Sequence, residues 1–153
     1  MQAQQLPGMA IVSLKEADRL GTISEVLFVT QPLRIAALRA IGESGEFIVP
    51  FDEVRAVGRD AVTVETSGAA QADLGHSSAD GLVGMSALMA LKVVDEEGRH
   101  LGSIQSMALD ESGHVVTVDA HVGGVLGVGG STNQINAESI RSVGPEVLTV
   151  RSS

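Results

Sequence analysis

The sequence repeats itself, and no other feature constrains its fold as much. The stretch LGTISEVLFV from Leu20 returns as LGSIQSMALD from Leu101, which aligns Leu20, Gly21 and Ile23 with Leu101, Gly102 and Ile104 at an offset of 81 residues. Farther along, VRAVGRDAVTV from Val54 returns as IRSVGPEVLTV from Ile140. There Arg55, Val57, Gly58, Thr63 and Val64 match Arg141, Val143, Gly144, Thr149 and Val150 at an offset of 86, with Asp60 facing Glu146. Two collinear blocks with different offsets mean one module of about seventy residues used twice, the second having gained residues in its middle. A module of that size buries only roughly 60% of its unfolded surface and is marginal alone. The two repeats are therefore expected to pack together, or each on a neighbouring chain as in a homodimer.

The segment SGAAQADLGHSSADGLVG, Ser67 to Gly84, is rich in Gly, Ala and Ser and has no sustained hydrophobic period, so it reads as a linker. The predicted organisation is an N-terminal tail over 1–7, a first repeat over 8–66, the linker over 67–84 and a second repeat over 85–151. Within each repeat the pattern is that of strands. The run VVTVDAHV from Val115 alternates, which predicts Val116, Val118, Ala120 and Val122 on the core face and Val115, Thr117, Asp119 and His121 on the other. Ala61 to Thr66 and Val147 to Val150 are short, β-branched and preceded by turns at Gly58 and Gly144, as closing strands would be. Asp95-Glu96-Glu97-Gly98 and Asp110-Glu111-Ser112-Gly113 read as hairpin tips in which Gly takes positive φ. Helix is confined to single turns at Phe51–Val54 and Ala137–Ile140. Leu33 to Ala40 is ambiguous alone, and its repeat mate at 114–120 assigns it to strand.

Composition removes several classes of function. Hydrophobic residues make up 44% of the chain and charged residues 19%, enough apolar material for a core. There is no cysteine, which excludes disulfides, thiol nucleophiles and thiolate-held metals. The polar opening Met1 to Leu6 has no signal-peptide character, and the apolar stretch Leu82 to Val94 contains Lys92 and is shorter than the ~20 residues of a spanning helix. A cytoplasmic protein without a transmembrane segment is expected. A net charge of -9 and the absence of Trp and Tyr disfavour nucleic acid as partner, for want of cations to meet phosphates and rings to stack on bases.

The order of elements resembles the PRC-barrel domain: an opening apolar strand, a Gly-containing turn, Leu-Gly-x-Ile leading into a second strand, a third alternating strand, and a closing Val-Gly-x-Asp/Glu-x-Val/Leu-Thr-Val. This small β-barrel occurs in the cytoplasmic part of the photosynthetic reaction centre H subunit and in the C-terminal part of the ribosome maturation factor RimM. The second repeat carries the family's usual opening, Val93-Val94-Asp95-x-x-Gly98-x-x-Leu101-Gly102. The first departs from it, with Ala17 where Gly98 stands and Pro32-Leu33 where Ser112-Gly113 stand. The resemblance covers about 8–66 and 85–151 and implies an all-β fold of two tandem small PRC-type barrels packed together, with at most short helical turns.

Sites of chemistry are hard to find. HVGGVLGVGGST, His121 to Thr132, has the glycines of a phosphate loop but Gly130 where the lysine is needed, and it leads into a strand rather than a helix. It reads instead as the β-hairpin insertion that many PRC-barrel proteins show here. Gly123, Gly124, Val125, Leu126, Gly127, Val128, Gly129 and Gly130 are therefore the candidate protein-interaction residues, their apolar tip meeting either a partner or the other repeat. Asp119 and His121 share a strand face, with His100 and His114 on adjoining hairpins, a donor set that suits zinc. Polar residues belong on that face anyway and no HxxH spacing supports them, so no metal or cofactor is assigned. No G-x-S-x-G elbow occurs, and the carboxylates of Glu16, Asp18, Glu43, Glu46, Asp95, Glu96, Glu97, Asp110 and Glu111 fall in turns, where they are expected to be solvated. Gly21, Gly102, Gly58 and Gly144 are expected to be structural. So are Arg55 and Arg141, by bridging the barrel mouth or pairing with Asp60 or Glu146.

The resemblance implies a non-catalytic adaptor that holds other proteins in an assembly, without a cofactor. A ribosome- or RNA-maturation factor and a small-ligand or metal-binding barrel are the alternatives. The first lacks the N-terminal partner domain that the maturation factor carries, and the second lacks convergent polar residues.

Overall fold

The computed structural model describes residues 1–72, 81–125 and 128–152. It divides into two compact units, each built on one sheet curled into a barrel-like form. The N-terminal unit comprises Gln5–Val29 and Ile35–Gly84, and the C-terminal unit comprises Met1–Gln4, Thr30–Arg34 and Met85–Ser153.

The strands of the N-terminal sheet are β1 (Ala10–Ser13), β2 (Asp18–Thr30), β3 (Leu33–Gly42), β4 (Gly45–Pro50), β5 (Val54–Val57), β6 (Ala61–Val64) and β7 (Val83–Gly84). They lie in the order β4-β3-β2-β1-β6-β5, with β7 on β2. The pair β1 and β6 is parallel, and β1–β2, β3–β4, β5–β6 and β2–β7 are antiparallel. Ile11, Ile23, Val26, Ile35, Leu38, Val49 and Val62 are buried; burial alternates along β1 and β6, while β2 buries the consecutive residues Val26, Leu27 and Phe28. Between β4 and β5 the chain makes one 3-10 turn, Phe51–Glu53, the single helical turn expected there.

The C-terminal sheet follows a short helix, α1 (Met85–Met89). Its strands are β8 (Lys92–Asp95), β9 (His100–Leu109), β10 (Val115–Val125), β11 (Val128–Asn136), β12 (Ile140–Val143) and β13 (Val147–Val150), in the order β11-β10-β9-β8-β13-β12. This is the N-terminal order strand for strand, and again the one parallel pair, β8 with β13, joins the opening strand to the closing one. Val93, Ile104, Met107, Val118, Ala120 and Leu148 form its buried face. A 3-10 turn over Ala137–Ser139 stands where Phe51–Glu53 stands in the other unit. Both acidic hairpin tips form, with Gly98 at φ 83° and Gly113 at φ 84°.

Three expectations need correction. Val116 is 48% exposed and Val115 is buried, the reverse of the alternation read from the sequence. A β-bulge between Val115 and Thr117 in the β9–β10 pairing shifts the two-residue period, and from Val118 onward the expected face is inward. Residues 67–84 are held to the N-terminal sheet at both described ends. Ser67–Ala69 is a 3-10 turn capped by Thr66 Oγ1, Gln71 bridges to Ile48, and β7 pairs with β2. Finally, residues 1–7 are structured: Ala3–Gln5 is a 3-10 turn and Ala3 and Leu6 are fully buried. The Met9 N–H to Leu6 carbonyl bond is matched by Leu91 to Leu88 after α1, so the repeated pattern begins ahead of β1.

Candidate interaction surface

The candidate hairpin is the far end of β10 and β11. The two strands pair from Thr117 opposite Asn136 out to Gly123 opposite Gly130 and Val125 opposite Val128. Gly123 is exposed, with open space where a Cβ would be, and Gly130 has φ 108°. Leu126 and Gly127 lie outside the described residues, as do the side chains of Val125 and Val128 and the surroundings of Gly124 and Gly129. The described residues on either side of 126–127 thus continue the antiparallel β10–β11 pairing out to Val125 and Val128.

The paired glycines sit where the backbone is crowded. A Cβ on Gly21 would lie 2.5 Å from the Ile41 carbonyl oxygen and 2.7 Å from the Phe47 ring; one on Gly102, at φ 126°, would lie 2.5 Å from the His121 oxygen. In each unit the second strand therefore presses against its neighbour at the position where Leu-Gly recurs. Gly58 and Gly144 are looser: a Cβ on either would lie 3.3 Å from the carbonyl oxygen of the residue that closes its hairpin, Ala61 and Val147.

Arg55 and Arg141 do make ion pairs, but with other partners than Asp60 and Glu146. Arg55 Nη1 lies 3.3 Å from Glu65, and Arg141 Nη1 lies 2.6 Å from Glu96. Arg55 follows Val54, the first residue of β5, which pairs with Val64 at the end of β6 just before Glu65, while Asp60 lies in the turn at the other end of that hairpin. In the C-terminal unit the residue after the closing strand is Arg151, a like charge, and Arg141 takes Glu96 from the β8–β9 turn.

Three turn carboxylates are more than solvated charges. Both oxygens of Glu16 accept the Ser67 N–H, at 3.2 and 3.0 Å, and Glu96 Oε1 accepts the Ser152 N–H at 3.0 Å, so in each unit a first-hairpin acid ties down the chain leaving the closing strand. Buried Asp95 takes the backbone N–H groups of Glu97 and Arg99 on Oδ1 and Arg99 Nε on Oδ2, each within 2.9 Å. These donors hold the three acids below the usual carboxylate range: the Ser67 N–H for Glu16, the Arg99 N–H for Asp95, and the Ser152 N–H followed by Arg141 for Glu96.

The Asp and His side chains weighed as metal donors each have other neighbours. Asp119 accepts from Ser106 Oγ at 2.9 Å, His121 Nδ1 lies 3.2 Å from Thr132 Oγ1, and His114 is beside Asp110 at 3.9 Å. Among the described residues no three His, Asp or Glu side chains are grouped for a metal ion. No helix among the described residues is long and apolar enough to cross a membrane.

A cleft in the C-terminal unit has no local sequence signal. It measures about 700 Å³ and is lined by Leu33, His114, Val115, Glu138, Ile140 and Arg141 among others. Its walls come from three stretches far apart in the chain, each ordinary by itself.

Comparison with curated proteins found no match. The family model of the PRC-barrel domain matches residues 1–71. That span holds β1 to β6 of the N-terminal unit, with the opening hairpin, the Gly21 crossing and the closing strand already described. Residues 1–71 are a PRC-barrel domain.

Proposed function

We propose that the chain is a non-catalytic protein-interaction module of two PRC-barrel repeats that scaffolds a larger assembly, working in the cytoplasm without a cofactor. The observation that carries this reading is the identical strand order of the two sheets, one of which lies in a matched PRC-barrel domain. Duplication of a small barrel that keeps its frame and varies one hairpin suits a protein that presents surfaces to others. The β10–β11 hairpin is a surface that differs between the repeats, its pairing running out to Val125 and Val128 where that of β3–β4 ends at Gly42 and Gly45.

The test is affinity capture from the organism's own lysate with the full chain and with a variant lacking Val125 to Val128. A stoichiometric protein partner captured by the full chain and lost or weakened by the deletion is expected. Absence of a partner above background, or capture indifferent to the deletion, overturns the adaptor reading or its placement at the hairpin, respectively. The cleft is the one observation favouring a small-ligand reading. A ligand that co-purifies with the full chain and is lost on Ile140→Trp, which would fill the cleft, would favour that reading.

A further inference from the structure

In the N-terminal unit the outer edge of the sheet is covered. Strand β4 ends the strand order, and its residue Ile48 both donates to the Gln71 carbonyl at 2.7 Å and accepts from the Gln71 N–H at 2.8 Å. The chain's own Ala70–Gln71 segment thus meets the row of backbone groups that an edge strand presents. The corresponding edge of the C-terminal unit is β11. Gln134 holds there the place of Ile48, opposite Asp119 as Ile48 is opposite Arg39, and buried Ile135 stands opposite Val118 as Val49 stands opposite Leu38. By that correspondence the Gln134 N–H and C=O point away from β10, and with them those of Thr132 and Gly130, two and four residues back. Among the described residues no strand or bridge pairs with this side of β11.

Edge strands usually carry devices against pairing: a charge, a proline, shortness. β11 has none of these. It is nine residues long against six for β4, and its sequence VGGSTNQIN contains neither a charged residue nor a proline. Ser131, Thr132, Gln134 and Asn136 are exposed. The chain's net charge of -9 is carried elsewhere, so this strand is a neutral strip on an acidic protein.

We propose that β11 is a self-association edge, on which a second copy of this chain pairs its own β11 antiparallel about a two-fold axis. The proposal rests on the reading of the chain as an interaction module and names one of its partners. An antiparallel pairing of a strand with itself is isologous, so every outward N–H of Gly130, Thr132 and Gln134 finds a carbonyl of the same row. Thr, Asn, Gln and Ser facing their own kind across the pair form hydrogen bonds, where an acidic strand would meet like charge. On a chain of net charge -9, a strand that pairs with its own copy sets each of its charges against the same charge in the copy, and a strip without charge avoids that repulsion.

The experiment is sedimentation equilibrium of the full chain over a concentration series, beside Gln134→Pro and the double variant Thr132→Lys/Gln134→Lys. The proline removes an N–H that β10 does not use, and the lysines set positive charges against their own copies across the two-fold. The full chain is expected to form a dimer. Each variant is expected to raise its dissociation constant at least tenfold, with far-UV circular dichroism unchanged and a thermal midpoint close to that of the full chain when both are measured at a concentration where both are monomeric. Should the proline variant lose its fold, the lysine pair carries the test. A full chain that is monomeric at every concentration, or a dimer unaffected by the lysines, overturns the proposal. If such a monomer still captures a protein partner, the adaptor reading stands while this one falls; a β11 dimer that captures nothing reverses the outcome.

Discussion

Ala17 lies at φ 56°, the one non-glycine residue among those described with positive φ, in the turn where its counterpart Gly98 sits at φ 83°. A Cβ in the left-handed region costs roughly 1–2 kcal/mol, part of which glycine returns through its greater freedom in the unfolded chain. Ala17→Gly is expected to stabilise the protein by about 0.5 kcal/mol, read as a higher urea midpoint with an unchanged slope. Gly102 is the converse. Its positive φ and the 2.5 Å approach to the His121 oxygen leave no room for a methyl group, so Gly102→Ala should cost about 2–3 kcal/mol. Gly144→Ala, whose new atom would meet only the Val147 oxygen at 3.3 Å, should cost less than about 1 kcal/mol. Equal losses at these two positions in chemical denaturation would refute the distinction between a crossing glycine and a turn glycine.

At the scale of the element, the first hairpin of each unit is held by an acid that accepts backbone N–H groups. Glu16, Asp95 and Glu96 have pKa values lowered by folding. A carboxylate whose pKa is lower folded than unfolded binds more protons when unfolded, so its contribution is complete above the unfolded value, about 3.9 for Asp and 4.3 for Glu, and is lost as pH falls through the folded one. Stability is therefore expected to decline from about pH 5 downward. Asp95→Asn should lower stability at neutral pH and flatten that decline, which thermal melts over a pH series would show. A variant that declines as steeply as the wild type would remove Asp95 from the account. The Arg55 and Arg141 pairs are exposed by comparison, and such pairs contribute about 0–1 kcal/mol. The strands themselves are secured by their buried faces: Leu148→Ala, at a fully buried position of the closing strand β13, should cost about 2–5 kcal/mol in the same denaturation assay.

The whole molecule carries two sheets with one strand order and a charge of -9. Two such chains repel each other, and salt screens that repulsion over about 10 Å at 0.1 M ionic strength. Since the β11 edge is itself uncharged, added salt is expected to tighten the dimer. Weakening by salt in the sedimentation series would mean that ion pairs hold the two chains together, and β11 supplies none.

Periodicity and repetition are properties of neighbouring residues, and what depends on them can be read along the chain. The strand run from Val118, the single turns at Phe51 and Ala137, the acidic hairpin tips and the crowded glycines at Gly21 and Gly102 all follow from side-chain alternation, turn chemistry and the recurrence of Leu-Gly. The repeat also places Leu33 to Ala40 in a strand, which neither its length nor its composition could do. What depends on register cannot be read that way. A bulge of one residue exchanges Val115 and Val116 between core and surface, and the partners of Arg55 and Arg141 are decided by which strand ends lie side by side. The cleft near Ile140, the anchoring of Ser67 and Ser152 by turn carboxylates, and the contrast between the covered edge at Ile48 and the edge at Gln134, which no other described strand joins, are relations between residues far apart in the chain. Such relations are set when the sheet curls and its backbone groups find partners, so only the tertiary structure could decide them.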